Sequence, residues 1–312
     1  MVEYYLGIDI GGMTVKGILT DKNGKVFSDG SVPTDSDKGG AAMCDNIAKL
    51  ISEMTRGVAI NEIVGAGVGC PGLIDSKSGT VVFAGNLNLK NFPLAQEIEK
   101  RCGFKVKLTN DANAAALGEA KFGAGSKYRN SILVTLGTGV GGGIVIDGKL
   151  FEGGMSAGTE IGHMVTVENG LKCTCGRNGC FERYASASAL MEQTREAMEG
   201  NRNSAMWEGY DISTVSGKTP FEYCDRDLTA KLVVAKYISH LACGIINLAN
   251  IFRPEVVMLG GGVSEQGERL TEPLQAMLDK ELFAGTAYAP VKIVKAALGS
   301  RAGAYGAAAL FM

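Results

Sequence analysis

The chain has 312 residues, 46% of them hydrophobic, with a formal net charge of -2 and eight cysteines. That is enough apolar material for two domains with real cores, and the near-neutral balance without long runs of one sign excludes an electrostatic footprint for nucleic acid or an anionic membrane. An acidic Glu3 stands where a signal peptide would be basic, and no apolar stretch reads as long enough to span a bilayer, so a cytoplasmic location is expected.

Residues 4–10 read as a buried strand and 14–20 as its hairpin partner, turned by Gly11-Gly12, with a third strand over 25–32. Asp9 sits at the turn end of the first strand. Backbone N–H groups of a glycine turn can cradle phosphates, and a nearby aspartate can hold the accompanying Mg2+ through water; an ordinary hairpin with an exposed aspartate is the plain alternative. Residues 39–56 carry a helical period and 63–69 return as a strand, making a β-α-β crossover. Cys70-Pro71-Gly72 and Ala84-Gly85-Asn86-Leu87 read as polar loops, and a helix follows Pro93. A strand over 104–109 ends in Asn110-Asp111-Ala112-Asn113, ahead of an alanine-rich helix over 114–122. Asp111 there is either a helix cap or part of a polar group suited to orienting hydroxyls.

The opening pattern then returns. Residues 131–136 form a strand, 137–143 a glycine turn and 144–150 the partner strand, which suggests an internal duplication. Gly137, Gly139 and Gly142 satisfy G-x-G-x-x-G, but a dinucleotide fingerprint must open a helix and this run leads into a strand, so a second phosphate hairpin fits better. Helices are expected over 185–200 and 227–250, the second carrying His240 in a structural role. A strand over 255–259 ends in Gly260-Gly261-Gly262, where a flat ring could approach the backbone. A last strand over 291–296 and a small-residue helix over 302–310 close the chain.

The densest chemistry lies between Glu160 and Glu182. His163, one of only two histidines, and Cys173, Cys175 and Cys180 supply the nitrogen and three sulfurs of a closed tetrahedral zinc site. Gly176 and Gly179 would let the backbone fold the cysteines together. Buried free thiols, or a disulfide in a strained ring, are the alternatives. Cys44, Cys70, Cys102, Cys224 and Cys243 are scattered and read as ordinary thiols.

Taken in order, the two glycine hairpins, the strand-end Asn110-Asp111, the triple glycine and the Glu160-Ile-Gly-His163…Cys173-x-Cys-Gly-x-x-Gly-Cys180-x-Glu182 segment closely resemble the ROK family of bacterial sugar kinases, in particular its ATP-dependent glucokinases. The resemblance implies an α/β fold of two actin-like ATPase (ribonuclease H-like) domains with a cleft between them, residues 1–111 plus about 300–312 forming one and 112–299, with the zinc loop, the other. It implies hexose and ATP with Mg2+ as ligands, a structural Zn2+, and a homo-oligomer of two or four copies. By the same resemblance Asp111 is the catalytic base for the sugar C6 hydroxyl, and Gly72, Asn86, Asn110, Asp111, Glu160, His163 and Glu182 contact the sugar. Asp9, Gly11, Gly12, Thr14, Gly137, Thr138 and Gly139 hold the ATP phosphates, and Gly260, Gly261 and Gly262 the adenosine. His163 would bind zinc through one ring nitrogen and the sugar through the other. Two positions depart from the family pattern: Met13 replaces the usual threonine after the first glycine pair, which bears on nucleotide affinity, and Leu89 stands where glucokinases often have tryptophan, which bears on sugar identity. Kinases for N-acetylmannosamine, N-acetylglucosamine, allose or fructose are the nearest alternatives. The family also contains sugar-responsive repressors, which carry a helix-turn-helix domain ahead of the first strand, whereas Asp9 lies near the start here; a non-catalytic sugar-binding regulator is the remaining alternative.

Overall fold

The computed structural model describes residues 3–312. A meander opens it, β1 (Tyr4–Ile10), β2 (Thr14–Thr20) and β3 (Val26–Pro33), followed by α1 (Gly40–Met54) and β4 (Ile63–Cys70). Three short strands come next, β5 (Leu73–Asp75), β6 (Thr80–Ala84) and β7 (Leu89–Phe92), then α2 (Leu94–Cys102), β8 (Val106–Asn110) and α3 (Asp111–Phe122). The repeat supplies β9 (Ser131–Leu136), β10 (Val140–Ile146) and β11 (Lys149–Phe151), and α4 (Glu182–Ala185), α5 (Ala187–Gly200), α6 (Thr219–Tyr223) and α7 (Leu228–Phe252) follow. The chain ends with β12 (Val256–Gly260), α8 (Glu268–Glu281), β13 (Lys292–Lys295) and α9 (Ala302–Ala309).

Two five-stranded sheets have the same order, β3-β2-β1-β4-β8 and β11-β10-β9-β12-β13, so the duplication expected from the repeated strand-turn-strand pattern extends to whole sheets. In the first, β1 is antiparallel to β2 and parallel to β4, which is parallel to β8. Strand side chains alternate between faces. Leu6, Ile8 and Ile10 join the apolar cluster that includes Met43, Ile47 and Leu50 of α1. Gly7 and Gly67 belong to the opposite face, where a Cβ on either would collide with the carbonyls of Ala304 and Ala307. The absence of side chains there is what lets α9 lie against the strands.

Two compact units result. One holds the chain up to Arg129, Gly143–Thr159 and Ala297–Met312, and the other Asn130–Gly142 and Glu160–Ala296. The first therefore extends past the expected boundary at 111, because α3 packs on α9: a Cβ on Gly306 would overlap the Ala114 carbonyl.

Four further readings change. Strands β5, β6 and β7, for which no element was expected, form a separate sheet beside the expected loops at 70–72 and 84–87. The alanine-rich helix begins at Asp111 rather than 114. Val140–Gly143, expected in the glycine turn, already belongs to β10. Finally, α7 is long and apolar enough to pass for a membrane span, contrary to the sequence reading. Tyr237, Leu241, Ile245 and Leu248 are among its buried side chains, which makes it a core helix of its unit.

Candidate functional site

In the first unit the parallel strands end in register: Asp9 lies opposite Gly69, and Cys70 opposite Asn110. A Cβ on Gly69 would stand 3.6 Å from Asp111 Cα and 3.8 Å from Asp9 Oδ1, so the missing side chain leaves the space that the two acids flank. Gly303 of α9 faces Asp9 in the same way, its Cβ position 2.7 Å from both carboxylate oxygens. Burial, followed by the charge of Asp111, pushes the Asp9 carboxyl up to about 6, with Lys16 opposing. Burial also raises Asp111, while the backbone N–H of Ala112 pulls it down. The Cys70 thiol is driven well above its ordinary value by burial and by these two acids, which excludes it as a thiolate nucleophile.

Asn110 caps α3, accepting from the N–H groups of Ala112 at 2.9 Å and Asn113 at 3.3 Å. Its Nδ2 donates to the Gly72 carbonyl at 3.2 Å. Asn110 and Gly72 are thus brought together and hold each other, and Asp111 is relieved of the main capping duty. Asn86 is exposed on the single turn Gly85–Leu87, while Leu89, on the next strand, is buried in the core. At the first glycine turn, the Gly11 N–H donates to Thr14 O at 3.0 Å, and the buried Thr34 hydroxyl donates to Gly11 O at 2.7 Å. Gly12 has open space where a side chain would be, and Met13 is 88% exposed.

In the second unit one nitrogen of His163 and the sulfurs of Cys173, Cys175 and Cys180 all lie within 4.8 Å of one another. Cys173 Sγ is 3.6 Å from His163 Nδ1, and Cys175 Sγ 3.6 Å from Cys180 Sγ. A zinc tetrahedron with bonds of about 2.3 Å to sulfur has edges of about 3.8 Å, so the donors fit zinc with little movement, and all three cysteines are unbridged. The Arg177 backbone N–H lowers the Cys175 thiol; burial, then the neighbouring thiols, push Cys180 up to about 12, an apposition that a cation would relieve. Gly179, at φ 78°, would meet the Val167 carbonyl with any side chain, so the tight turn that aims Cys180 requires glycine. Phe181 follows, fully buried against Gly244 of α7.

The metal loop ends at Glu182, whose Oε2 accepts the Val140 N–H at 3.0 Å and lies against Gly139. The carboxylate expected to meet sugar is therefore also tied to the glycine turn, where the Gly137 N–H donates to Gly139 O at 3.0 Å and Thr138 is exposed. Glu160 is exposed, one residue ahead of the turn Ile161–His163 that carries the histidine. Gly261, at φ 83°, packs on the backbone of Leu136, so its freedom serves strand packing, whereas Gly262 borders open space. His240 has neighbours the sequence did not suggest, the ring of Tyr184 at 4.8 Å and a cavity shared with Glu192 and Glu196.

Sequence reasoning missed Thr34 and two first-unit acids. Glu119, fully buried, accepts the N–H groups of Ala124, Ala297 and Leu298 at 2.9, 3.0 and 2.7 Å. Glu152 accepts the hydroxyls of Ser76 at 2.8 Å and Thr109 at 2.6 Å. All of these partners but Ala124 are distant in sequence, and a lone Glu in a helix or loop gives no sign of them.

Paired sheets of this order, with glycine turns and a strand-end aspartate, define the actin-like ATPase fold of the sugar kinases. Within that class the chain belongs to the ROK family, whose sequence model matches residues 5–312. It is 36% identical to a glucokinase of Halalkalibacterium halodurans over 88% of this chain and 84% of that one, and 34% identical to a Streptomyces coelicolor glucokinase over 98% and 96%. A xylose repressor of Bacillus subtilis is 30% identical over 97% of this chain and 75% of its own length. Among solved structures, a ROK family glucokinase from Streptomyces griseus in complex with glucose and AMPPNP superposes with a TM-score of 0.79 at 33% identity, covering 98% of each chain.

Proposed function

We propose that the protein is an ATP-dependent hexose kinase that phosphorylates glucose at its C6 hydroxyl. The observation that carries this reading is the pair Asp9, near the end of β1, and Asp111, at the start of α3 just past β8, both raised by burial, with the main helix cap supplied by Asn110. A carboxylate held above its usual range is suited to accept a proton near neutral pH. In the proposed step the sugar O6 bonds to the γ-phosphorus, the bond from that phosphorus to ADP breaks, and the hydroxyl proton passes to Asp111.

Gly72, Asn86, Asn110, Glu160, His163 and Glu182 are the proposed sugar ligands. Gly11, Gly12, Thr14, Gly137, Thr138 and Gly139 receive the phosphates, and Gly260, Gly261 and Gly262 the adenosine. Asp9 would hold Mg2+ through water, and the ion supplies charge neutralisation. Zn2+ on His163, Cys173, Cys175 and Cys180 would be structural, leaving His163 Nε2 for a sugar hydroxyl. The two compact units are proposed as the two kinase domains. A cytoplasmic dimer or tetramer is part of the same reading.

Similarity to the repressors supports a second reading, a sugar-responsive regulator without turnover. A coupled ADP-release assay over a hexose panel separates them. Glucose is expected to give the highest kcat/KM; a preference of about tenfold for an N-acetylated sugar would overturn the substrate, and no ADP release with any hexose would overturn the kinase.

A further inference from the structure

The turn at residues 11–13, to which the proposed function brings the nucleotide phosphates, is not held by packing. Gly12 borders open space, a Cβ on Gly11 would touch only the Thr14 carbonyl, and Met13 is 88% exposed. Two adjacent glycines also leave the backbone its widest choice of φ and ψ. A phosphate-binding turn works through N–H groups aimed at the anion, and ordering them only at the moment of binding would subtract from affinity. Something other than contact area must therefore fix this turn.

Thr34, the residue after β3, supplies it. Among the described residues, both hydrogen bonds that reach residues 11–13 from beyond the β1–β2 hairpin come from Thr34: its N–H donates to Met13 O at 3.0 Å, and its hydroxyl donates to Gly11 O at 2.7 Å. The peptide units here are planar and trans, so each N–H points opposite to the carbonyl it is joined to. Holding the Gly11 carbonyl toward Thr34 turns the Gly12 N–H away from it, and holding the Met13 carbonyl does the same for the Thr14 N–H. The Gly12 N–H has no partner among the described residues. The side chain at 13 cannot take its place, because a thioether donates no hydrogen bond.

Thr34 is itself fixed in place. It is fully buried, and its β-branched side chain has few rotamers open to it. On either side of it, Pro33 O and Asp35 Oδ2 accept from Asn46 Nδ2 at 3.0 and 3.2 Å, so α1 anchors the segment. Asp35, at φ 50°, a left-handed conformation that aspartate tolerates, then turns the chain away from β3.

We propose that Thr34 is a positioning residue for nucleotide binding. Anchored on α1 through Asn46, it holds the carbonyls of Gly11 and Met13 so that Gly12 and Thr14 present their N–H groups to the phosphates; this rests on the phosphate assignment of the turn.

The test is titration calorimetry of MgATP without hexose, which reads nucleotide binding apart from turnover, together with the KM values for ATP and hexose. Thr34→Val keeps the shape and the backbone bond and removes the hydroxyl, whereas Thr34→Ser keeps the hydroxyl. Thr34→Val is expected to weaken MgATP about tenfold, the scale of one hydrogen bond, and to raise KM for ATP but not for hexose, while Thr34→Ser stays near wild type. Should Thr34→Val fail to fold, Asn46→Ala, at a half-buried position on α1, loosens the same tether and is expected to weaken MgATP in the same direction. These results support the assignment even if no hexose is turned over. MgATP bound by Thr34→Val, or by Asn46→Ala in its place, as tightly as by wild type overturns it even if turnover is normal, and so does a Thr34→Ser as weak as Thr34→Val or a KM for hexose that rises as much as that for ATP. A wild-type protein that binds no MgATP overturns it together with the phosphate assignment.

Discussion

Asp9 is held in a place that suits chemistry better than stability. Its carboxyl is raised from 3.8 to about 6, so the folded state keeps a proton that the unfolded chain releases from about pH 4 upward. The stability this proton contributes is complete below the unfolded value and is lost as pH rises through the folded one. At pH 7.5 the ionised, buried Asp9 destabilises the fold. Asp9→Asn should therefore raise Tm at pH 7.5 and lose that advantage near pH 4, a difference that calorimetry at the two pH values reads directly; equal shifts at both would contradict it. The partner acid carries the opposite expectation. Asp111→Asn should cut kcat by about 10²- to 10⁴-fold, the range for a positioned base, while hexose affinity by titration calorimetry stays near wild type. Retained turnover would remove Asp111 from the role of base. Neither acid is explained by its sequence neighbours alone. The Asn-Asp pair was legible as a polar strand end, but the order of duties within it, Asn110 accepting the N–H groups of both Ala112 and Asn113 and Asp111 that of Ala112 alone, is a matter of backbone direction at the helix start.

Among elements, the loop from Glu160 to Glu182 does the most with the fewest residues. The clustering of its four His and Cys donors was readable from spacing, because structural zinc sites favour Cys and His and glycines stand where the turn needs them. The link from Glu182 to Val140 was not, since it joins side chain to backbone across a distance in sequence. That link changes the expected effect of removing metal. A structural zinc contributes on the order of 10 kcal/mol to its fold, so a partially destabilising chelator should loosen the loop first. KM for hexose should rise through His163 and Glu182, and KM for ATP should rise with it because the glycine turn loses its carboxylate anchor, both before circular dichroism reports unfolding. A rise for hexose alone would show that the Val140 contact is dispensable. Other elements were illegible for a plain reason. Strands β5, β6 and β7 are three to five residues long, too short to show alternation, and β10 begins inside a glycine run that has no side chains to alternate.

At the scale of the whole molecule, the repeat was visible as two strand-turn-strand patterns, and the structure extends it to two sheets of the same order. The linear pattern alone did not place the last residues of the chain, which the family resemblance put with the first domain; in the structure α9 packs on β1, β4 and α3 of the first unit. The sequence Ala302-Gly-Ala-Tyr-Gly-Ala-Ala-Ala309 has hardly any polar face to mark it as a surface helix; its buried small residues are the means of close approach. Adding one methyl group should show this with the sign opposite to helix propensity. Gly→Ala in a helix is ordinarily favourable by up to about 1 kcal/mol, and Gly200, at the end of α5 with open space around it, should follow that rule to a neutral or small gain. At Gly306 the new Cβ would overlap the Ala114 carbonyl, a backbone atom that cannot swing aside, and overpacking costs about 1–3 kcal/mol or more. Denaturant midpoints of Gly306→Ala and Gly200→Ala should thus move in opposite directions or leave only the first lowered. If Gly306→Ala were as stable as wild type, the packing of α9 would not be the tight closure on which the first unit depends.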